Sequence, residues 1–238
     1  GTDQCGGVPP DGDAPVWRSD GRYRGIFPSG MRAVGCRGLL GWRFAGVKEI
    51  ILIRHGATAS NLERRYIGRT DEPLCEQGRL QALWLQQQGL HVDALLVSPA
   101  LRARQTAQLA FPAMPYQVIP EWRETDFGIF EGKTAQEMEE DPDYRAWVDS
   151  GCRGPVPGGE QLAEFQARCC AGFRRIEPLL PPDIHTAWVI HGGVIMALLE
   201  AYARPARNFY DYHIGNGGYV RCSCREGILH VEEIRTPE

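Results

Sequence analysis

The chain has 238 residues, of which 43% are apolar and 24% are charged, and its formal net charge at pH 7 is −4. This composition is typical of a globular protein with room for one α/β domain of about 190 residues and an appendage. The acidic balance argues against nucleic-acid binding, and no run of about 18 apolar residues or signal-peptide pattern indicates a membrane or secreted protein. We therefore expect a cytoplasmic protein without nucleic-acid or membrane partners.

The eight cysteines follow an irregular pattern without a Cys-x-x-Cys pair. A chain of this size can bury a core without disulfides, so we expect reduced thiols. Cys222 and Cys224 alternate in a predicted strand, and His213 and His230 are the nearest histidines in the sequence. Because this spacing is not that of a usual zinc site, we expect no metal ion and no other cofactor.

Residues 1–46 differ from the rest of the chain. They are rich in glycine, contain six Arg and four Asp but no Lys or Glu, and show neither helical nor strand periodicity. A segment with so few apolar anchors gains too little from burial to offset its ordering entropy. The chain begins at Gly1, and we expect residues 1–46 to be a disordered or non-native N-terminal extension and residues 47–238 to form the folded catalytic domain.

From Lys48 onward, predicted strands and helices alternate, which is typical of βαβ units around a mainly parallel sheet. The predicted strands are 48–53, 94–97, 116–119 and 186–190, followed by a hairpin of 217–223 and 227–234. The predicted helices are 59–64, 76–88, 100–110, 134–140, 142–149, 160–176 and 194–202. In the helix over 76–88, the spacing of Leu80, Leu83 and Trp84 predicts one apolar face. We expect a three-layer α/β/α fold.

Basic side chains follow three of the predicted strands. Arg54 and His55 come directly after the apolar run 50–53, Arg102 lies shortly after the second strand, and His191 follows the fourth. The carboxyl ends of parallel strands share one edge of a sheet, where ligands bind, so we expect these side chains to converge. Two guanidiniums and nearby helix N-termini suit a phosphate group. Taken singly, Arg102 also fits a solvated helix residue, and His191 a buried core histidine.

The segment Arg54-His55-Gly56-Ala57-Thr58-Ala59-Ser60-Asn61 resembles the Arg-His-Gly signature of the histidine phosphatase superfamily, which includes the phosphoglycerate mutases. The similarity continues in order through 68–74, 98–106, 121–132, 157–160 and 190–192 and covers 48–235. The resemblance implies a phosphoglycerate mutase-like fold and a metal-independent reaction on a small phosphorylated metabolite, in a monomer or a homodimer.

The resemblance also implies a role for each matching residue. His55 would attack phosphorus to give a phosphohistidine, while Arg54, Arg102 and His191 hold the phosphoryl oxygens. The two arginines would help to lower the pKa of His55, so that its ring is neutral. Glu124 would protonate the leaving oxygen and later deprotonate the attacking water.

Further residues of the same site follow from the resemblance. The expected substrate-binding residues are Thr58, Asn61, Gly68 and Gly192. Glu121 and Asp126 are alternative carboxylates for the acid, and the motif favours Glu124. Cys75 stands where relatives carry Thr or Ser, at the expected N-cap of the helix over 76–88. A thiol is a poor hydrogen-bond acceptor, so Cys75→Thr is expected to stabilise the fold.

The surroundings of Glu124 favour a phosphatase over a mutase. In mutases this acid is followed by Arg and then His or Tyr, whereas here Thr125 and Asp126 follow. The segment 134–150 is acidic and would repel the carboxylate of a phosphoglycerate; its carboxylates are Glu137, Glu139, Glu140, Asp141 and Asp143.

Within the phosphatases, the segments 126–132, 144–147 and 157–160 are most similar to the α-ribazole phosphatases, which release phosphate from α-ribazole 5′-phosphate in cobalamin biosynthesis. Trp122, Phe130, Tyr144 and Trp147 are candidates for walls around a flat base, or are ordinary packing aromatics. The alternatives are a broad-specificity sugar or nucleotide phosphatase and a phosphoserine phosphatase. A phosphoglycerate mutase and a non-catalytic protein that binds phosphorylated ligands are less favoured.

Overall fold

The computed structural model describes residues 16–17, 23–24 and 46–237. Two short strands, β1 (Val16–Trp17) and β2 (Tyr23–Arg24), pair antiparallel, and the sequence pattern did not predict them. The other residues of 1–45 lie outside the described residues, so the expectation of a disordered or non-native extension stays a prediction. None of the described helices is long and apolar enough to cross a membrane.

The main unit is built on one six-stranded sheet with the order β5-β4-β6-β3-β7-β8. Its strands are β3 (Lys48–Arg54), β4 (Ala94–Val97), β5 (Tyr116–Val118), β6 (His185–Ile190), β7 (Tyr219–Arg225) and β8 (Ile228–Arg235). Strands β3, β4, β5 and β6 are parallel, and β7 joins the sheet antiparallel to β3 and to β8. The predicted mainly parallel sheet and its C-terminal hairpin are therefore confirmed.

The helices are α1 (Ala59–Leu62), α2 (Glu76–Gln87), α3 (Leu101–Ala110), α4 (Pro142–Asp149), α5 (Leu162–Ile176) and α6 (Gly192–Tyr202). They cover both faces of the sheet. Ile51 and Ile53 of β3 share one apolar core with Leu85 of α2 and with α3. On β6, Trp188 points the other way and packs against Phe173 of α5, with 5.8 Å between ring centroids. Burial on both faces explains why these strands are continuously apolar.

Helix α2 is rotated relative to the prediction. Leu80 is 61% exposed and Leu83 is also exposed, so the predicted apolar face was wrong for both, while Trp84 is partly buried. The residues buried on α2 are instead Gly78, Ala82 and Leu85. The backbone of Gly78 lies so close to the carbonyl of Ala57 that a Cβ at Gly78 would overlap it. Because Gly78 has no side chain, this face of α2 packs closely against the loop that follows β3.

The helix predicted over 134–140 is wrong: Thr134 forms an isolated bridge with Arg65, and residues 135–140 form turns before α4 begins. The Glu137 carboxylate accepts a hydrogen bond from the Thr134 N–H and pairs with Arg65 at 2.8 Å, and the backbone hydrogen bonds of the turns, such as that from Met138 N–H to the Ala135 carbonyl, span three residues. This segment covers a small separate core made of Phe130, Met138, Tyr144, Trp147 and Val156.

Candidate active site

The structure brings the four predicted basic residues to the carboxyl edge of the sheet. Arg54 ends β3 and His55 follows it, Arg102 lies in the first turn of α3, and His191 immediately precedes α6. His55 is 4% exposed, Arg102 1% and His191 0%, so none of them is a solvated surface group. The two imidazole rings meet edge to face, with centroids 5.0 Å apart.

The His55 ring is held with one nitrogen free for chemistry. Its Nδ1 lies 2.7 Å from the carbonyl oxygen of Gly56, and because a carbonyl only accepts, the proton is on Nδ1. The lone pair is then on Nε2, which faces the Nε–H of Arg102 at 3.3 Å. Burial lowers the pKa of His55 well below its usual 6.5, and the charges of Arg102 and Arg54 lower it further. The residue is therefore neutral near pH 7.

Both terminal nitrogens of the Arg102 guanidinium are hydrogen-bonded to backbone carbonyls. Its Nη1 donates to the carbonyl of Thr70 at 2.8 Å, and its Nη2 donates to that of Gly68 at 2.9 Å. The carboxylate of Glu131 in turn accepts from the backbone N–H groups of Gly68 and Thr70, both at 2.9 Å. The loop and the guanidinium thus form one hydrogen-bonded unit that places a positive charge beside Nε2 of His55.

Arg54 and His191 each carry a buried nitrogen without a hydrogen-bond partner among the described residues. Arg54 donates through Nη1 to the carbonyl of Ile214 at 2.6 Å and to Nε2 of His213 at 3.4 Å, and the unpartnered nitrogen is its Nε. His191 Nε2 lies 2.6 Å from the Ser98 hydroxyl, and the unpartnered nitrogen of this ring is Nδ1. When Ser98 donates to Nε2, the single ring proton of neutral His191 is on Nδ1. A buried donor without an acceptor is costly, so this arrangement suits an anion that accepts from both atoms.

Glu124 is the carboxylate that reaches this site. Its Oε1 accepts from the N–H of Thr125 at 2.9 Å, and its Oε2 accepts from that of Gly193, in the first turn of α6, at 3.2 Å. Gly193 has no Cβ, and one there would overlap this carboxylate. Burial raises the pKa of Glu124, against the lowering effect of these hydrogen bonds and of the nearby arginines. A carboxyl with a raised pKa can donate a proton as an acid.

The two alternative carboxylates are each engaged in an ion pair. Glu121 forms a bidentate pair with Arg175, at 2.9 and 2.8 Å. Asp126 pairs with Arg69 at 3.1 Å and also accepts from the N–H of Gly128 at 2.9 Å.

The predicted substrate-binding residues surround the site, mostly through contacts within the protein. Thr58 and Asn61 form a capping box at the start of α1, and Asn61 Oδ1 also accepts from Asn216 at 3.1 Å. Both backbone groups of Gly68 are engaged, so it offers no free N–H to a phosphate in this structure. Gly192 begins α6, and a Cβ there would lie 3.4 Å from the Arg54 guanidinium.

A cavity of about 450 Å³ opens beside Arg102 and Glu124. The other lining residues are Gly68, Arg69, Asp71, Pro99, Ala100, Arg123, Asp126, Gly159, Glu160 and Glu164. The acidic lining therefore comes from other carboxylates than those predicted in 134–150, where Glu137 pairs with Arg65 and Glu140 with Arg145. In the described part of the chain, no group of three or more His, Cys, Asp and Glu side chains is arranged to hold a metal ion.

Of the two interpretations of the four aromatic residues, the structure supports packing and not walls of this cavity. Trp122 is fully buried and stacks on Trp188, with 4.4 Å between ring centroids. Phe130, Tyr144 and Trp147 belong to the small core described above. They are packing aromatics, because each finds other apolar side chains to cover it.

Several residues of the site were missed from the sequence. Ser98 directly follows β4, and it could have been found as the polar residue between that strand and α3. The N–H of Gly193 follows from its place at a helix N-terminus. His213 and Ile214 carry no sequence signal that links them to Arg54, because only the tertiary fold brings their loop to the end of β3.

Comparisons with known proteins identify the family of the chain. The family model described as histidine phosphatase superfamily (branch 1) matches residues 50–236. The adenosylcobalamin/α-ribazole phosphatase of Salmonella typhimurium is 28% identical over 193 residues, which are 78% of this chain and 95% of that protein. A protein of Cronobacter sakazakii named "Probable phosphoglycerate mutase GpmB" is 31% identical over 158 residues, 64% of this chain and 73% of its own. The crystal structure of the α-ribazole phosphatase of Shigella flexneri shares the fold, with a TM-score of 0.72, 24% identity, and coverage of 79% of this chain and 96% of that one.

Proposed function

The chain belongs to the histidine phosphatase superfamily, and from this premise we propose that it is a phosphomonoesterase that hydrolyses α-ribazole 5′-phosphate through a phosphohistidine. The observation that carries the proposal is the state of His55. Its ring is neutral, its Nδ1–H donates a hydrogen bond to the Gly56 carbonyl, and its Nε2 lies beside Arg102 among buried basic side chains. Such a group is an activated nucleophile, with no need of a separate base.

In the first half of the reaction, the phosphoryl group lies between Arg54, Arg102 and His191. Nε2 of His55 forms the bond to phosphorus as the bond from phosphorus to the ester oxygen breaks. The carboxyl of Glu124 gives its proton to the departing oxygen, and the three basic side chains stabilise the charge spread over the phosphoryl oxygens. The products are an alcohol and the phosphohistidine.

In the second half, water hydrolyses the phosphohistidine. The Glu124 carboxylate, which has just lost its proton, takes one from the water as the oxygen bonds to phosphorus. The bond from phosphorus to Nε2 breaks, and neutral His55 is restored with its proton still on Nδ1. Inorganic phosphate leaves, and Glu124 is again protonated.

The charges around the cavity favour a substrate whose only anionic group is the phosphate. Beyond Arg102 and Glu124, the lining carries four carboxylates and two guanidiniums. Asp71 and Glu164 are two of these carboxylates, and each accepts a hydrogen bond from a backbone N–H group, of Leu101 and of Gln161 respectively. A phosphoglycerate would place its own carboxylate near them and be repelled. The leaving group of α-ribazole 5′-phosphate is a neutral nucleoside alcohol, and the relative from Salmonella typhimurium is named for that substrate class.

The test is a comparison of specificity constants. Phosphate release is measured with α-ribazole 5′-phosphate, p-nitrophenyl phosphate, phosphoserine, a hexose phosphate and a nucleotide, and isomerisation is measured with 3-phosphoglycerate and 2,3-bisphosphoglycerate. We expect the highest kcat/KM for α-ribazole 5′-phosphate, no activity in His55→Ala, and full activity in His230→Ala, which changes an exposed histidine of β8. Equal constants for all esters would indicate a broad-specificity phosphatase, and efficient isomerisation would indicate a mutase.

A further inference from the structure

The carbonyl of Gly56 determines which nitrogen of His55 is free, so the groups that hold this carbonyl matter for the reaction. Two side chains hold the backbone on either side of it. The N–H of Gly56 donates to Oγ1 of Thr106 at 3.0 Å. The N–H of Ala57, which belongs to the same peptide unit as the Gly56 carbonyl, donates to Oε1 of Gln81 at 2.8 Å.

Thr106 is fully buried in α3, and both functions of its hydroxyl are used. The O–H donates to the backbone carbonyl of Arg102, one turn earlier, at 2.7 Å. Its lone pair is therefore directed to the N–H of Gly56. This single hydroxyl joins the helix that carries Arg102 to the loop that carries His55.

The backbone at Gly56 needs such restraint. A Cβ at this position would overlap the carbonyl of Gly78, so only glycine fits where α2 approaches the loop. Glycine is also the residue with the widest choice of backbone conformations. Without the two hydrogen bonds, the His55–Gly56 peptide unit is still held at its carbonyl by Gly217 N–H at 3.1 Å and Asn216 Nδ2 at 3.2 Å. The Gly56–Ala57 unit, however, loses the hydrogen bond at its N–H, and the Gly56 carbonyl can turn away from Nδ1.

We propose that Thr106 and Gln81 are positioning residues that keep the proton of His55 on Nδ1 and so direct phosphoryl transfer to Nε2. The proposal rests on the proposed function for the identity of the reaction. The tautomer of a histidine follows from the hydrogen bond that its other nitrogen makes. When the Gly56 carbonyl moves, Nδ1–H loses its acceptor, and the Nε2–H tautomer becomes populated against the opposing Arg102 Nε–H, which faces Nε2 at 3.3 Å. In that form the attacking nitrogen has no lone pair to offer.

The test uses two variants that remove a hydrogen-bond acceptor, one variant that keeps it, and one matched control. Thr106→Val keeps the shape and removes the hydroxyl, and Gln81→Leu removes the amide oxygen from a partly exposed side chain. Thr106→Ser keeps the hydroxyl that Thr106→Val removes. The control is Thr186→Val on β6. Thr186 is equally buried, donates to the carbonyl of Glu49 at 3.3 Å and accepts from Trp188 at 3.0 Å, but it has no bond to the Gly56 loop.

The first readout is the ¹⁵N spectrum of the His55 ring in the full chain labelled at histidine, which reports the tautomer without any substrate. The second is kcat and KM with p-nitrophenyl phosphate. We expect Thr106→Val and Gln81→Leu to populate the Nε2–H tautomer and to lower kcat by about tenfold to a hundredfold with little change in KM. Thr106→Ser should recover most of the rate, and Thr186→Val should match the wild type in both readouts.

A His55 ring that stays in the Nδ1–H form in both removal variants would overturn the proposal, whatever their rates. If Thr106→Val does not fold, Gln81→Leu decides the matter alone, because its side chain is partly exposed and its loss leaves no buried gap. An enzyme inactive on every ester would contradict the proposed function and leave the tautomer readout standing, so the two failures can be told apart.

Discussion

The two buried imidazoles of the site should make the stability of the protein fall as the pH is lowered. Burial is the largest cause that lowers the pKa of His55 and of His191 well below 6.5, and the Arg102 and Arg54 charges add to it. In the unfolded chain both rings meet water and bind protons with a pKa of about 6.5. The unfolded state therefore binds more protons below that pH, and the free energy of unfolding decreases as pH falls towards the lowered folded-state pKa.

The size of the effect follows from the linkage relation. A histidine that stays neutral in the folded protein loses up to about 1.4 kcal/mol of stabilisation between pH 7.5 and pH 5.5, so the pair loses up to about 2.8 kcal/mol. This is a large share of the roughly 5–15 kcal/mol that holds a typical domain together. The contribution of the two neutral histidines to the free energy of unfolding is fully present above the unfolded-state pKa and is lost as the pH falls below it.

The assay is urea unfolding at a series of pH values between 7.5 and 5.5, with wild type, His55→Gln and His230→Gln. We expect the decrease in free energy of unfolding to be smaller by about 1.4 kcal/mol in His55→Gln, because the variant lacks one group that must be protonated on unfolding. His230→Gln changes an exposed ring of β8 and should follow the wild type. If His55→Gln shows the same pH dependence as wild type, the neutral buried state of His55 is refuted.

Three further predictions concern the helix cap and the catalytic contacts. Cys75 is the N-cap of α2 and makes no side-chain cap hydrogen bond. In thermal unfolding, Cys75→Thr should raise the free energy of unfolding by about 0.5–2 kcal/mol, while Cys75→Ala should leave it unchanged. An equal gain from both variants would mean that the threonine hydroxyl does not cap the helix. Ser98→Ala removes the hydrogen bond to Nε2 of His191 and should lower kcat/KM by about tenfold to a hundredfold, and an unchanged value would remove Ser98 from the site. Glu124→Gln should lower kcat/KM, which reports phosphoryl transfer to His55, by about 10²–10⁴-fold for alkyl phosphates and less for p-nitrophenyl phosphate, whose leaving group needs no proton. Equal losses for the two ester classes would show that Glu124 is not the acid.

Much of the fold could be predicted because its signals are local. Apolar runs such as 50–53 specify buried strands, and the abrupt change to Arg54 and His55 marks the edge of the sheet. The convergence of Arg102 and His191 followed from the general geometry of parallel sheets. Glu124 could not be found in this way, because it comes from an irregular segment, and it was assigned by resemblance to the family.

The errors arose where packing partners are distant in sequence. The face of α2 was mistaken because Gly78 and Ala82, which permit close approach, carry less apolar character than the exposed Leu80. The aromatic residues gave no sign of whether they line a cavity or fill a core, and other apolar side chains proved to cover them. Likewise, the acidic character of 134–150 was correct, but Arg65 pairs with Glu137 and Arg145 with Glu140, and the acidic residues that line the cavity come from other segments.

If His55 is the nucleophile, it carries the phosphoryl group during turnover. Glu124→Gln, with its slowed hydrolysis, is mixed with p-nitrophenyl phosphate, quenched in base, in which phosphohistidine is stable, and analysed by intact mass and peptide mapping. We expect one added phosphoryl group per chain, located on His55 and absent from the variant that also carries His55→Ala. Turnover with no phosphorylated protein, or with the label on any other residue, would contradict this role of His55.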